Sequence, residues 1–328
     1  MATAREAFIG TQLRGRRERL ETAIAEFGAT AQLIHLLQDV DAALERMNNG
    51  TYGLCDACHL PIEEERLMAD PLIRLCIEHL TSDQQRALEQ DLALAARIQN
   101  TLLPKRDVTF GDWEIHYRYE PAGPVSGDYC DLLNVGSDRG DLYFLLGDVA
   151  GKGVAASMLM AHLHAIFRSL VGVGLPTHQL AERANRVFSE STMATHYATL
   201  ICGRAGRGGE VEICNAGHCL PLWVGKDQVR SIESTGLPLG MFSTTEYTAE
   251  KMQLTKGESL FLFTDGLIEA RDASNVEYGG NRLASTVGKH HALPAQGLAD
   301  ACLQDLSAFL AGAPKTDDLT IMVIRRLV

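Results

Sequence analysis

The chain has 328 residues, 46% of them hydrophobic, and a formal net charge of −12. This length is enough for two domains, or for one large and one small domain, with a buried core. The negative charge is shared evenly between residues 1–103 and 104–328 and no basic face stands out, which argues against nucleic acid as the main partner. There is no signal-peptide pattern and no run of about 18 apolar residues. We therefore expect a cytoplasmic protein without a membrane partner.

The predicted elements of the first hundred residues are helical, because apolar residues recur there at three- and four-residue spacing. Gly28 is expected to break the first helical region, 5–48, into two helices. A compact segment rich in Cys, His and Pro follows at 51–80. The next helical region, 82–103, ends at Pro104.

After Pro104 the pattern changes to short strands with Gly and Pro turns, interrupted by helices. Many strands with a few long helices indicate an α+β protein with a layered α/β/β/α core. We predict three parts, namely a helical module (1–81), a linker helix (82–104) and a core domain (105–328). The predicted strands are 113–119, 129–135, 197–204, 210–215, 220–224, 259–264 and 319–325, and the predicted helices of the core domain are 155–171, 177–191 and 294–311.

The predicted linker helix carries a seam of residues at alternating four- and three-residue spacing. Its members are Leu88, Leu92, Ala95, Gln99 and Leu102. This spacing is that of a short heptad repeat with one polar member, so the helix needs an apolar partner. The same helix of a second chain would give a homodimer, and packing on the chain's own core domain is the alternative.

Four residues between positions 55 and 79 have the spacing of a zinc site. Cys55 and Cys58 form one Cys-x₂-Cys pair, and Cys76 and His79 form a Cys-x₂-His pair. Two such pairs complete a tetrahedral site with no open position, which is typical of structural rather than catalytic zinc. We therefore predict one structural Zn²⁺. His59 adjoins this set, and we interpret it as a surface residue.

The residues around this zinc pattern resemble those of DksA/TraR-type zinc fingers. The resemblance covers about 31–80 and is carried by residues 42–55, 61–62 and 66–71. His79 stands where that family usually has a fourth cysteine, and histidine is also an ordinary zinc ligand. Members that enter the RNA polymerase channel have a long coiled coil with an acidic tip. No such tip motif is present here, so that activity is not implied.

Four acidic motifs lie where strand-like apolar runs give way to glycine or polar residues. They are Gly127-Asp128, Gly147-Asp148, Asp265-Gly266 and Asp317-Asp318. A strand end followed by glycine lets a short carboxylate project from a rigid support. Several such ends brought together make an all-oxygen site for hard divalent cations. The sequence therefore predicts a centre for Mg²⁺ or Mn²⁺.

These motifs belong to an ordered series that resembles the PPM-type metal-dependent serine/threonine phosphatases, specifically the bacterial SpoIIE/RsbU-like branch. The series is 96–104 (ARIQNTLLP), 121–131 (PAGPVSGDYCD), 147–153 (GDVAGKG), 215–218 (NAGH), 264–270 (TDGLIEA) and 317–320 (DDLT). The resemblance covers about 96–328. Each motif alone is weak, but six in this order are not expected by chance. The resemblance implies a phosphatase with two Mn²⁺ or Mg²⁺ ions.

The resemblance also implies a role for each metal-site residue. Asp148 would bridge both ions with help from the Val149 carbonyl, and Asp128 would bind one of them. Lys152 lies where eukaryotic relatives carry a histidine suspected of acid catalysis, so no general acid can be assigned from the motif. Lys152 could instead contact the phosphate, with a solvated surface lysine as the alternative.

The second ion would be bound by Asp265 and Asp317. Asp318 is an alternative ligand to Asp317, because strand alternation lets only one of these two neighbours face the site easily. Asp131 could be a further ligand or could cap a local turn. His218 stays open between a structural turn and a functional role.

The branch commonly dephosphorylates phosphoserine or phosphothreonine on anti-sigma-factor antagonist proteins. The resemblance therefore implies a phosphorylated protein substrate and a role in partner switching. Two other classes remain open: a non-catalytic phosphatase-like docking module, and a regulator that acts on RNA polymerase through the zinc finger. Retention of all four metal-site aspartates argues against the docking module. The acidic, short-helix N-terminal part argues against the polymerase regulator.

Overall fold

The structure is a computed structural model that describes residues 4–80, 82–135, 140–193 and 195–327. The chain separates into two units, Met1–Asp91 and Leu92–Val328, which we call unit 1 and unit 2. The division falls inside the helix α4 (Ser82–Leu102). It does not test the predicted limits of the module, linker and core domain, which stay predictions.

Unit 1 begins with two helices that pack on each other, α1 (Ala4–Phe27) and α2 (Ala31–Asn48). Gly28 lies between them with a φ of +89°, a left-handed conformation that glycine adopts without strain. The predicted break at this residue is therefore confirmed. Two shorter elements follow, the helix α3 (Glu64–Ala69) and the 3₁₀ turn Ile77–His79.

Unit 2 is built from eleven strands and five further helices in its described part. The strands are β1 (Asp107–Phe110), β2 (Trp113–Glu120), β3 (Asp128–Val135), β4 (Asp141–Val149), β5 (Ala198–Ala205), β6 (Glu210–Ala216), β7 (Leu222–Val224), β8 (Val229–Ser231), β9 (Glu250–Gln253), β10 (Ser259–Phe263) and β11 (Leu319–Arg326). The helices are α5 (Gly153–Val171), α6 (Thr177–Ser191), α7 (Asp265–Ile268), α8 (Gly280–Lys289) and α9 (Ala295–Leu310).

The strands form two antiparallel sheets. One has the order β1-β2-β11-β10-β7-β8 and the other β3-β4-β5-β6-β9. Side chains such as Phe144 of β4 and Met322 of β11 are fully buried in one apolar cluster to which both sheets contribute. Two further clusters join the five-stranded sheet to α5 and α6, and the six-stranded sheet to α7, α8 and α9. The predicted layered α/β/β/α core is confirmed.

Helix α5 is long and apolar enough to meet the length and hydropathy criteria of a membrane span. Its side chains Met160, Leu163 and Phe167 are buried in the cluster shared with the five-stranded sheet. His162 and Arg168 interrupt its apolar composition. The helix therefore has a place in the core of unit 2.

Three edge strands and the helices α7 and α8 of unit 2 were not predicted. Strands β1, β8 and β9 have only three or four residues and are largely exposed, so they lack the apolar alternation that marks a strand. Helix α8 starts at Gly280 and contains Gly288 and Thr286, which are poor helix formers. Tertiary packing decides these elements, because Leu283 and Val287 of α8 are fully buried.

The predicted seam of α4 is only partly available to another chain. Gln99 is buried, and its side-chain amide pairs with the backbone of Ser126 at 2.6 and 3.0 Å. This end of the seam therefore packs on the chain's own core domain, as the alternative prediction had it. On another face of the helix, Leu94 and Ile98 are 47% and 56% exposed.

Candidate functional site

The two acidic strand ends of the five-stranded sheet lie side by side. Strand β3 begins at Asp128 and pairs with β4 so that Asp128 stands opposite Asp148. Glycine precedes each of these aspartates. A Cβ atom on Gly147 would lie 2.6 Å from the Thr199 carbonyl oxygen, so only glycine fits this close approach of β4 and β5.

Asp128 is joined to the opposite sheet by two threonine hydroxyls. It is 1% exposed, and its Oδ2 accepts hydrogen bonds from Thr264 at 3.0 Å and from Thr320. Burial raises the pKa of Asp128 well above its usual range, the Thr320 hydrogen bond lowers it, and the charge of Asp148 raises it. Thr264 and Thr320 lie in the motifs 264–270 and 317–320 of the ordered series, but no role was predicted for them.

The acidic motifs of the six-stranded sheet also meet. Asp265 is the first residue of α7 and follows β10 directly, while Asp317 and Asp318 precede β11, which pairs with β10. A Cβ atom on Gly266 would lie 1.9 Å from the Asp318 carbonyl oxygen. Glycine at this position therefore allows the start of α7 to lie against the Asp317-Asp318 peptide.

Asp317 and Asp318 have different partners. Both carboxylate oxygens of Asp318 accept backbone N–H groups, from Ala122 at 2.7 Å and from Gly127 at 3.0 Å. Asp317 Oδ2 instead faces the Lys152 ammonium at 3.0 Å, and Lys152 also donates to the Thr316 carbonyl at 3.1 Å. Asp318 thus holds the loop that leads into β3, while Asp317, within the described part of the chain, pairs with the exposed Lys152 side chain and with its own backbone neighbour.

The carboxylates repel one another strongly. Burial, together with the charges of Asp265, Asp317 and Asp318 and against the opposing charge of Lys152, raises the pKa of Asp148 to about 7. Burial, followed by the charge of Asp317, also raises the pKa of Asp265. Such repulsion is expected where several carboxylates share one site, and bound cations would relieve it.

The donor set fits divalent metal ions. A Cβ atom on Gly127 would lie 3.1 Å from the Val149 carbonyl oxygen and 3.4 Å from Asp148 Oδ1, so these two oxygens face the same small space. With the carboxylates of Asp265 and Asp317 nearby, the site offers only oxygen ligands. Oxygen-only sites of this kind suit Mg²⁺ and Mn²⁺. The sequence-predicted ligands are therefore brought together, although their individual roles stay predictions.

His218 lies in a buried layer behind Asp148. Asn215 brackets its backbone at 2.8 and 3.2 Å, and its Nδ1 is 2.8 Å from the Thr199 hydroxyl. That hydroxyl lies 3.4 Å from the Asp148 carbonyl oxygen. Burial lowers the pKa of His218 to about 4, so the imidazole is neutral at pH 7. These contacts fit a structural turn, and Thr199 is a supporting residue that the sequence analysis missed.

Asp131 is not part of the carboxylate group. It points to the other face of β3, where Arg168 of α5 binds both of its oxygens at 2.8 and 3.0 Å. Its side chain is fully buried. The suggestions that it binds a metal or caps a turn are therefore wrong, because the opposite face of the strand supplies an ion-pair partner.

Unit 1 contains a separate cluster of ligand-type side chains. The ligand atoms of Cys55, Cys58, Cys76 and His79 all lie within 4.8 Å of one another. The Cys58 and Cys76 sulfurs are 3.8 Å apart, and Cys76 Sγ is 3.1 Å from His79 Nδ1. A zinc ion with Zn–S bonds of about 2.3 Å in a tetrahedron places two sulfurs about 3.8 Å apart. The donor set therefore fits Zn²⁺.

A tight turn presents the first two cysteines. The His59 amide donates to the Cys55 carbonyl at 2.9 Å, and the Cys55 amide donates to the Leu60 carbonyl at 2.8 Å. His59 has a φ of +58° and is exposed. It stands outside the four-residue cluster, as predicted.

Two family models match this chain, one over most of the part with the carboxylate site and one over the part with the cysteine and histidine cluster. Residues 138–327 match the family model described as stage II sporulation protein E (SpoIIE). Residues 50–78 match the model described as the prokaryotic dksA/traR C4-type zinc finger. This second match ends one residue before His79, the position where the chain departs from a four-cysteine pattern.

Similar full-length proteins and structures come from several bacteria. Protein IcfG of Synechocystis is 26% identical over 265 residues, covering 72% of this chain and 41% of that protein. Phosphoserine phosphatase RsbU of Bacillus subtilis is 26% identical over 247 residues, covering 74% of this chain and 72% of RsbU. The chain thus spans about two fifths of the first relative's length. The structure of the SiaA-PP2C domain of Pseudomonas aeruginosa aligns with a TM-score of 0.66 at 20% identity, over 75% of this chain and 98% of that one.

Proposed function

The chain belongs to the stage II sporulation protein E (SpoIIE) family, and from that premise we propose that it is a metal-dependent protein serine/threonine phosphatase. The proposal rests on one observation. Asp128, Asp148, Asp265 and Asp317 come together from strand ends of the two sheets. The similarity to phosphoserine phosphatase RsbU supports the reaction class. We assign the activity to the cytoplasm.

We propose that the carboxylate group binds two Mn²⁺ or Mg²⁺ ions. Asp148 and the Val149 carbonyl face a common space, which suits Asp148 as the ligand shared by both ions. Asp128 would bind one ion through its free oxygen, because Thr264 and Thr320 hold the other. When bound, such ions lower the pKa of water and neutralise charge on phosphoryl oxygens.

For the second ion we propose Asp265 and Asp317 as ligands. Both oxygens of Asp318 already accept backbone N–H groups, which fix this carboxylate on the 122–127 loop and favour Asp317 as the ligand. Asp318 instead positions the 122–127 loop that precedes Asp128. The sequence analysis left Asp318 open as an alternative ligand, and these contacts support Asp317.

Lys152 has two roles in this proposal. In the absence of a cation it balances the charge of Asp317. When a metal takes over that carboxylate, the long and 66% exposed side chain is free to contact a phosphate oxygen. It is the cation closest to Asp317 among the described ion pairs, which supports the predicted phosphate contact.

The proposed substrate is a phosphorylated protein, with an anti-sigma-factor antagonist as the specific candidate. The solved relative that contains RsbU and RsbW domains, from Rv1364c of Mycobacterium tuberculosis, is 26% identical with a TM-score of 0.58. It supports a setting in which such a phosphatase works beside partner-switching components.

We propose that the zinc finger of unit 1 holds one structural Zn²⁺ through Cys55, Cys58, Cys76 and His79.

The proposal is tested with purified protein and p-nitrophenyl phosphate. We expect turnover with Mn²⁺ or Mg²⁺, a stop after addition of EDTA, and recovery when the metal is returned in excess. Folded protein that never hydrolyses this substrate with either metal would favour the non-catalytic docking module. Release of phosphate from a serine-phosphorylated antagonist protein then tests the substrate class.

We further propose that α4 contributes to a homodimer. The buried Gln99 excludes one end of the predicted seam from a partner chain, whereas Leu94 and Ile98 present an exposed apolar pair. Light scattering at tens of micromolar should therefore report a dimer. Leu94→Glu with Ile98→Glu should dissociate it more fully than Leu88→Glu with Leu92→Glu. A wild-type monomer at this concentration removes the dimer from the proposal.

A further inference from the structure

A groove runs along the C-terminal half of α9 and opens beside Asp317. Its first cavity has a volume of about 140 Å³ and is lined by Ala270, Leu306, Leu310 and Asp317, among other residues. A second cavity of about 300 Å³ shares Leu306, Leu310 and Lys315 with the first. The two cavities are therefore adjacent along α9, and we call them together the α9 groove.

The α9 groove has an apolar floor and a charged rim. Leu306, Leu310 and Leu319 form the floor and are 2%, 6% and 1% exposed. The rim carries charges of both signs: Glu269 and Arg271 line the first cavity, and Lys315 lines both cavities and pairs with Glu120 at the end of β2. An apolar floor favours the binding of an aliphatic side chain. The charged rim can form hydrogen bonds with the polar backbone groups of a bound polypeptide.

One end of the α9 groove is part of the carboxylate site. Asp317 lines the first cavity and also contributes to the repulsion that raises the pKa of Asp148. Gly266 is in the same wall and packs directly against the Asp317-Asp318 peptide. A phosphoryl group held at the carboxylates would therefore leave the neighbouring residues of its own chain beside this cavity, because an extended chain advances about 3.3 Å per residue.

We propose that the first cavity of the α9 groove receives an aliphatic side chain of the phosphoprotein substrate, within three residues of its phosphorylated serine or threonine. The inference rests on the proposed phosphatase function and makes the groove a specificity subsite of that reaction. The volume matches one side chain, since an apolar cavity of about 150 Å³ holds a benzene molecule. The second cavity continues the path for the rest of the substrate segment.

The test uses phosphopeptides in which a single leucine is moved through the three positions on each side of a phosphoserine in an alanine background. With the wild-type protein and Mn²⁺, we expect one position to raise kcat/KM about tenfold over the all-alanine peptide, as filling an apolar pocket does. Ala270→Leu fills the cavity and should abolish this preference. Ala284→Leu, the same change in α8 of the same core layer, is the matched control and should retain it.

Each rate is divided by the rate with p-nitrophenyl phosphate, which has no flanking residues. Equal activity on all peptides, or a leucine preference that survives in folded Ala270→Leu, overturns the subsite. If the wild-type protein does not hydrolyse p-nitrophenyl phosphate at all, the proposed phosphatase function is instead refuted. The two failures are therefore distinguishable.

A second measurement needs no variant and applies even if Ala270→Leu does not fold. A phosphopeptide carrying photo-leucine at the preferred position is irradiated with the wild-type protein, and the crosslinks are mapped by mass spectrometry. Crosslinks to 266–271 or 306–319 support the subsite. Crosslinks confined to other segments contradict it.

Discussion

The two metal-type clusters of this chain are assembled in opposite ways. The cysteine and histidine cluster comes from 25 consecutive positions, 55–79, and is held by short turns and a small apolar cluster. The carboxylate site draws on residues from 128 to 318 and is held by two sheets and three large apolar clusters. We therefore expect the first cluster to depend on a bound ion for its structure, whereas the second has a scaffold of its own.

This difference has a consequence for metal removal. In a small module with few apolar contacts, metal binding supplies most of the free energy that offsets the conformational entropy lost on folding. Removing the zinc removes that contribution. A carboxylate group in a layered core should stay in place without metal, because the core is stabilised by buried apolar area. Chelation is therefore expected to unfold the finger and to silence, but not unfold, unit 2.

The largest effect is expected from breaking the finger. Cys76→Ser removes one of four zinc ligands, and residues 51–80 should lose their protection in hydrogen exchange because the closed site supplies folding energy. Elemental analysis should fall from one zinc per chain to none, while the thermal transition of unit 2 stays. His59→Ser alters an exposed neighbour outside the cluster and should keep both zinc and protection. Wild-type protein that contains no zinc would refute the assignment.

The corresponding change in the carboxylate site should abolish activity without unfolding. Asp148→Asn removes the central carboxylate, and kcat/KM for p-nitrophenyl phosphate should fall by on the order of 10³-fold or more, since metal ions supply several kcal/mol of charge stabilisation. Circular dichroism should be unchanged. Asp141→Asn at the other end of β4 is the control, because it affects only a part-exposed pair with Arg204. Wild-type-like turnover by Asp148→Asn would exclude the mechanism.

Variants of Asp317 and Asp318 should have different effects, because we propose Asp317 as a metal ligand and Asp318 as the residue that holds the 122–127 loop. Asp317→Asn should weaken Mn²⁺ binding at one of two sites, as seen by isothermal titration calorimetry, and should lower kcat about a hundredfold. Asp318→Asn should leave two Mn²⁺ sites but increase hydrogen exchange at 122–127, because the amide keeps only one acceptor oxygen for the two backbone N–H groups of Ala122 and Gly127. The reverse pattern would make Asp318 the ligand.

The smallest effect is expected at Lys152. Its pair with Asp317 is exposed, and such pairs contribute about 0.2–1 kcal/mol. Lys152→Gln should therefore tighten Mn²⁺ binding by at most about fivefold, because the competing ammonium is gone. The same change should raise KM for phosphate substrates if the side chain contacts the phosphate. Unchanged Mn²⁺ affinity and KM together would leave Lys152 as a solvated residue.

Sequence alone was sufficient where ligands and supports are local or repeat a motif. The spacing of Cys55, Cys58, Cys76 and His79 predicted their cluster, and Gly28 predicted the break between α1 and α2. Apolar alternation predicted the long strands and therefore the layered core. The acidic motifs predicted which carboxylates approach one another, because each lies at a strand end next to glycine or polar residues.

Only the tertiary structure shows which contacts each acidic neighbour makes. The resemblance favoured Asp317 as the ligand and left Asp318 as the alternative, whereas the N–H groups that bind Asp318 come from a loop almost 200 positions away. The sequence left Asp131 open between a metal ligand and a turn cap, and the structure instead pairs both of its oxygens with Arg168 of α5. The short edge strands, α8 and the α9 groove arise from packing between distant segments. Their form depends on partners that no local pattern identifies.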